Sequence, residues 1–205
     1  MQTKIVRNPK EFLNIISDIH PDLIIVMPHE IPDLDSYASA YALKELLSDI
    51  GFRCNVFLQK PSQELKNIAS SLGFPLFESD KEIIEKEVSR YAHNLLILVD
   101  FADPSRILDS ENKKILNKIS LKFAIDHHIA DISPEIHAAL IIDYPSSSEI
   151  LVDMLISADK ENLLDKNPTL ANALMAGILH DTGFLLNAKK HTFQPMTILI
   201  DIGDY

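Results

Sequence analysis

The stretch LIIVMPHEIPDLD, residues 23–35, decides how this chain is read. Leu23, Ile24, Ile25 and Val26 form an apolar run with no polar alternation, the pattern of a strand buried on both faces. His29, Asp33 and Asp35 follow at once in an H-x3-D-x-D spacing. An imidazole and two carboxylates on one short loop suit hard or borderline divalent cations such as Mn2+, Mg2+ or Zn2+. The same arrangement recurs downstream. LLILVD ends at Asp100, LKFAIDHH ends at Asp126, His127 and His128, and the helical run ALMAGILHDTG contains Asp181. Apolar runs that repeatedly end in Asp or His read as a polynuclear metal site, and so as an enzyme.

Working outward, the strand-like segments Leu23–Met27, Phe52–Gln59, Leu95–Val99 and Leu121–Ile125 are separated by helical ones. The pattern predicts an α/β fold: a mainly parallel central sheet with helices on both faces, followed by a helical C-terminal third. In such sheets ligands bind beyond the carboxyl ends of the strands, where most of these Asp and His residues stand. Residues 139–142 are one more strand candidate, and FPLF (residues 74–77) reads as a short strand. Asn8-Pro9-Lys10-Glu11 reads as a helix start with a capping box. Helices are expected from Tyr37 to Ile50, stopped by Gly51, from Pro61 to about Leu72, and over Lys81–Tyr91, Ser146–Ala158 and Pro168–Leu186. NLLDKN (residues 162–167) reads as a surface loop. The apolar run beginning at Ile198 and ending in Gly203-Asp204-Tyr205 reads as the start of an element.

At 205 residues with 46% hydrophobic content, the chain suits one sizeable domain, residues 1–205. The net charge of −11 argues against a long nucleic-acid partner, which would call for a basic face, but is compatible with a small phosphorylated ligand held through metal ions. No secretory signal is visible, and no apolar stretch approaches the roughly 18 residues that span a bilayer. The single cysteine, Cys54, leaves no internal disulfide. A cytoplasmic, soluble protein with no membrane partner is expected.

Together HEIPDLD (29–35), VDFADPSR (99–106), DHH (126–128) and HDTG (180–183) resemble, in order, the four motifs of the DHH phosphoesterase superfamily. The match runs from Leu23 to about Phe193. The subgroup it most resembles is the DHH–DHHA1 proteins that cleave short oligonucleotides, cyclic dinucleotides or 3′-phosphoadenosine 5′-phosphate; family II pyrophosphatases are more distant. The resemblance implies that His29, Asp33 and Asp100 hold one metal ion, and Asp35, Asp100, His127 and Asp181 a second, with Asp100 shared. Two Mn2+ ions are expected, with Mg2+ or Co2+ as alternatives. His128 would face the substrate and assist the leaving oxygen, and Asp126 would orient its neighbours. Arg106 and Ser39 would touch the substrate; a surface salt bridge remains an equal reading for Arg106. Helix capping is the competing reading for Asp33, Asp35 and the Ser146–Ser148 run. His180 reads as an ordinary helix histidine.

Two departures are visible. The C-terminal DHHA1-type substrate domain is absent from this sequence, and residues 184–188 differ from the pattern that usually follows the fourth motif. The expected function is a metal-dependent phosphohydrolase acting on small nucleotidic phosphoesters. Pyrophosphate or polyphosphate hydrolysis is the alternative, and a non-catalytic nucleotide-binding or split-enzyme module is the reading from another class. A homodimer, or a partner chain supplying the missing domain, is the expected partner. Exposed Ile198, Leu199 and Ile202 would then favour self-association, and the chain alone would act poorly. The six ligand groups should converge within about 8 Å, as a two-metal cluster requires.

Overall fold

The computed structural model describes residues 2–58, 61–107, 109–128 and 132–203. Apolar continuity becomes a six-stranded sheet in which every pair is parallel. Its strands are β1 (Lys4–Val6), β2 (Leu23–Pro28), β3 (Cys54–Val56), β4 (Asn94–Val99), β5 (Leu121–Asp126) and β6 (Ala138–Ile141), in the order β1-β6-β5-β4-β2-β3. Side chains alternate across the sheet, so both faces must be covered. On one face Ile24, Val26, Leu95, Ile97, Phe123 and Ile125 pack against α1 (Pro9–Ile19), α2 (Leu34–Asp49), α6 (Ser147–Ser157) and α8 (Pro168–Asp181). On the other, Ile25, Met27, Leu96, Leu98 and Ala124 meet α4 (Lys81–Arg90) and α5 (Ser110–Leu116). The α/β architecture and the helical C-terminal third are as expected. No helix among the described residues is long and apolar enough to cross a membrane.

Local chemistry sets the helix ends. Asn8 caps α1 by accepting from the Glu11 N–H at 3.1 Å, while the Glu11 carboxylate pairs with Lys4 instead of closing a capping box. Asp33 caps α2, which therefore starts at Leu34 rather than Tyr37. Ser62 caps α3 (Gln63–Leu72), and Gly73, with φ of 72°, closes it.

Several expectations are corrected. FPLF is no strand: the Tyr37 hydroxyl donates to the Pro75 carbonyl and accepts from the Phe77 N–H, so these backbone groups pair with a side chain rather than a ladder. β3 is shorter than residues 52–59, with Leu58 held by a separate bridge to Glu78 and Gln59 outside the described residues. NLLDKN is not a loop; its first five residues form α7 (Asn162–Lys166), because Leu163 and Leu164 are buried. α8 ends at Asp181, not Leu186, because Gly183, Phe184 and Leu185 turn left-handed in succession. The C-terminal run becomes α9 (Phe193–Ile202), with Leu199 fully buried and Ile198 and Ile202 packed on the core. Ile198, Leu199 and Ile202 are therefore packed inward, while Ile200 is exposed; Asp204 and Tyr205 lie outside the described residues.

Candidate metal centre

β2 is flanked by β3 on one side and β4 on the other, and the connection reverses direction across it, so the carboxyl ends of β2 and β4 form a topological switch point, where such sheets bind ligands. His29 follows β2, Asp100 follows β4, and β5 ends in Asp126 with His127 and His128 next. Asp35 lies in the first turn of α2, and Asp181 is the last residue of α8.

The structure brings the six candidate ligands together as two groups that share one residue. Ligand atoms of His29, Asp33 and Asp100 lie within 4.8 Å of one another, and so do those of Asp35, Asp100, His127 and Asp181. The two oxygens of Asp100 divide between them. Oδ2 is 3.7 Å from His29 Nε2, whereas Oδ1 is 3.3 Å from His127 Nε2. His127 Nε2 is also 3.3 Å from Asp181 Oδ2, and His29 Nε2 is 3.5 Å from Asp33 Oδ2. Asp100 takes up this pose from a left-handed backbone, φ 70°, while its N–H still donates to the Ile125 carbonyl. Such a conformation at a non-glycine residue is sparsely populated and concentrates at functional sites.

The N-terminus of α6 braces the cluster. Asp35, fully buried, accepts the N–H of Ser147 at 2.7 Å and of Ser148 at 2.9 Å, where the helix dipole favours an anion. The Ser147 hydroxyl donates to Asp100 Oδ1 at 3.0 Å. His127 Nδ1 lies 3.1 Å from the Tyr144 carbonyl, which fixes the proton on Nδ1 and leaves the Nε2 lone pair for a cation. Asp126 Oδ1 accepts both the ring Nδ1 and the backbone N–H of His128, at 2.8 and 3.0 Å, and so aims a half-exposed imidazole outward.

Electrostatics fit a divalent cation. Burial, with Asp100 and Asp181 alongside, pushes the Asp35 carboxyl well up. Burial also raises Asp100, with Asp33 and Asp181 adding to it against the pull of His127. Burial resists charge on His127, but Asp100 and Asp181 overcome this and carry it up to about 11. At Asp33 burial is outweighed by His29 and the Ser36 N–H, which hold the carboxyl at about 2. His128 is raised by its bond to Asp126. Buried His127 Nε2 makes no well-formed hydrogen bond. An orphaned imidazole nitrogen among crowded carboxylates is the donor set a hard or borderline divalent ion satisfies.

A pH dependence follows for the chain stripped of divalent ions by a chelator. Raised carboxyls at Asp35 and Asp100 mean the folded chain holds protons that the unfolded chain releases above about pH 4. The His127 contribution is full below the ordinary imidazole value and is lost as pH rises through about 11. The lowered Asp33 acts the other way, but only below about pH 4. Urea midpoints of the stripped chain should therefore be lower near pH 9 than near pH 6; a higher midpoint at pH 9 would contradict this charge arrangement.

One expected substrate residue, Ser39, faces away from solvent. Ser39 is fully buried, 3.3 Å from the Ser148 hydroxyl, in the packing of α2 on α6. It is a spacer behind the cluster with no surface to offer a ligand. Arg106 is exposed on the short turn Pro104–Arg106, with its guanidinium 6.0 Å from the centroid of the Phe101 ring. The sequence reading missed His180, whose Nδ1 is 3.1 Å from Asp181 Oδ1 and which forms a third group with Asp33 and Asp181. Adjacency to Asp181 was its only signal. The Ser147 and Ser148 amides were also missed, since backbone donors leave no side-chain signature.

Comparison with known proteins adds to this geometry. An exopolyphosphatase-related protein from Bacteroides fragilis superposes with a TM-score of 0.76 at 18% identity, covering 96% of this chain and 57% of that one. CDC45 from Entamoeba histolytica gives 0.52 at 12% identity, covering 96% and 38%. RecJ from Thermus thermophilus, solved in complex with Mn2+, gives 0.50 at 14% identity, covering 85% and 24%. At these identities the likeness concerns the fold, and the chain spans little more than half the length of the first. No curated protein matches the chain. The model of the DHH family, N-terminal domain, matches residues 23–178, most of the chain and three of the four motifs, and the chain belongs to the DHH family.

Proposed function

We propose that this domain is a metal-dependent phosphohydrolase of small nucleotidic phosphoesters: short oligonucleotides, cyclic dinucleotides or 3′-phosphoadenosine 5′-phosphate. The DHH family supports divalent-metal-dependent phosphoester hydrolysis in general. The observation that carries the reading is Asp100, which offers one carboxylate oxygen to each of two ligand groups. His29, Asp33 and Asp100 would hold one ion, and Asp35, Asp100, His127 and Asp181 the other, with Mn2+ first and Mg2+ or Co2+ as alternatives. When bound, such a pair supplies Lewis-acid stabilisation of phosphoryl charge. The protein's own part is positional. Asp126 raises the affinity of His128 for a proton and holds it outward, toward a departing oxygen, and the α6 N-terminus keeps Asp35 in place. Pyrophosphate or short polyphosphate is the second reading, favoured by the name of the exopolyphosphatase-related structure.

The test is a Mn2+-supplemented hydrolysis panel of short oligonucleotides, cyclic dinucleotides, 3′-phosphoadenosine 5′-phosphate and pyrophosphate. It is run beside light scattering, because a homodimer or partner chain completing the cleft is part of the proposal. Chelator-sensitive turnover of a nucleotidic substrate is expected. Turnover of pyrophosphate alone selects the second reading, and no metal-dependent turnover at all rejects both. His128→Asn should lower kcat by roughly 100-fold or more on poor leaving groups, in the range of general-acid catalysis, with Mn2+ binding unchanged. The loss should shrink for a p-nitrophenyl ester, whose leaving oxygen needs no proton.

A further inference from the structure

Glu149 is a buried acid with no part in the proposed hydrolysis. It has no solvent exposure and is followed on α6 by Ile150, Leu151 and Val152, all fully buried, where a fourth apolar side chain would pack as well. A carboxyl group in such a place is unfavourable unless partners meet it. Two do, and both come from the short turn Lys190–Thr192 that leads into α9. The Thr192 hydroxyl donates to Glu149 Oε1 at 3.1 Å, and His191 Nε2 lies 3.1 Å from Oε2, close but without a well-formed hydrogen bond. Burial, with Asp153 nearby, raises Glu149 to about 7. The His191 ring in turn packs on Tyr144, with centroids 4.1 Å apart.

The segment from Tyr144 to Glu149 has another side, and that side touches three candidate ligands. The Tyr144 carbonyl meets His127 Nδ1, the Ser147 and Ser148 amides hold Asp35, and the Ser147 hydroxyl holds Asp100. The 190–192 turn is thus joined to the metal centre through six residues. We infer that Glu149 is a positioning residue. By fastening that turn to the first turn of α6, it fixes Asp35, Asp100 and His127 in the geometry that a pair of cations needs. The inference rests on the metal-dependent reading above.

Three variants test it: Glu149→Leu, which keeps bulk without the polar group; Glu149→Gln, which can accept from Thr192 and donate to neutral His191; and the double change His191→Leu with Thr192→Val, which breaks the latch from its outer half. Mn2+ affinity is measured by calorimetry, and amide exchange at Ser147 and Ser148 by NMR on the metal-free chain. Glu149→Leu and the double variant should weaken Mn2+ binding by about tenfold or more, as lost outer contacts to metal ligands do. Exchange at Ser147 and Ser148 should quicken about as much, with β4 amides unchanged, and Glu149→Gln should stay close to the parent. If Glu149→Leu does not fold, the double variant decides. Parent-like affinity and undiminished protection of Ser147 and Ser148 in either variant would overturn the inference. A parent chain that takes no Mn2+ would instead reject the metal-dependent reading, and exchange at Ser147 and Ser148 would still show whether Glu149 orders the segment.

Discussion

Asp100→Asn should abolish divalent-ion binding in both ligand groups while leaving a metal-free chain at least as stable as the parent. Asparagine keeps the shape and tolerates the left-handed backbone that Asp100 adopts, so the change isolates charge. Its consequence is double because Oδ2 faces His29 and Oδ1 faces His127. Loss of outer-shell partners alone costs roughly 10- to 100-fold in affinity or activity, so loss of a shared ligand should exceed about 100-fold. Stability moves the other way. Burial and the charges of Asp33 and Asp181 hold the Asp100 carboxyl above its usual range, and a neutral amide removes that repulsion. Ion at about a hundred times its dissociation constant stabilises a folded chain by about 2.7 kcal/mol. At this chain length that is roughly 5–10 °C in Tm. The parent should show such a shift with Mn2+ and the variant none; a variant that retained the shift would remove Asp100 from its shared position.

Gly177→Ala should be damaging out of proportion to the one methyl group it adds. In an open helix this substitution is favourable by up to about 1 kcal/mol. Here a Cβ would stand 2.2 Å from the Ser148 hydroxyl, 3.0 Å from Asp35 Oδ1 and 3.1 Å from the Asp35 Cα. Ser148 can rotate; the Asp35 backbone cannot, because α2 is packed on α8 along its length. Overpacking of this kind costs about 1–3 kcal/mol. The displaced atoms are those that place Asp35 against the α6 N-terminus, so metal affinity should fall with stability. Calorimetry and thermal melts together check this. Unchanged Mn2+ affinity in a folded Gly177→Ala chain would show that the close approach of α8 does not set Asp35.

The sheet is legible in the sequence because β2, β4 and β5 are covered on both faces, so their residues are mostly apolar, with Asn94 opening β4 and Lys122 the polar residue inside β5. The candidate ligands are legible for a related reason: His29, Asp100, His127 and Asp181 interrupt that pattern at or just after the carboxyl end of an element, and Asp33 and Asp35 stand at the start of α2. β1 is not legible, since Lys4 and Ile5 are exposed on an edge and only Val6 is buried. α7 is hidden by polar flanks around two buried leucines. The brace around Asp35 and His127 is made of main-chain N–H and C=O groups, which any residue carries, so its form comes from packing alone. Ser39 illustrates the converse: a hydroxyl near a motif invites a ligand role, but the helix turns it inward.

The place of β1 in the sheet bears on how the chain is made. Its parallel partner is β6, and Thr3 donates to the Ile136 carbonyl 133 residues along the chain. On a ribosome adding about 5–20 residues per second, β1 would wait on the order of ten seconds for its neighbour. β2, β3 and β4 can pair in the meantime, whereas β1 remains unpaired and open to chaperones. Closing so long a loop is entropically slow, which places the zipping of β1 onto β6 among the last steps of folding.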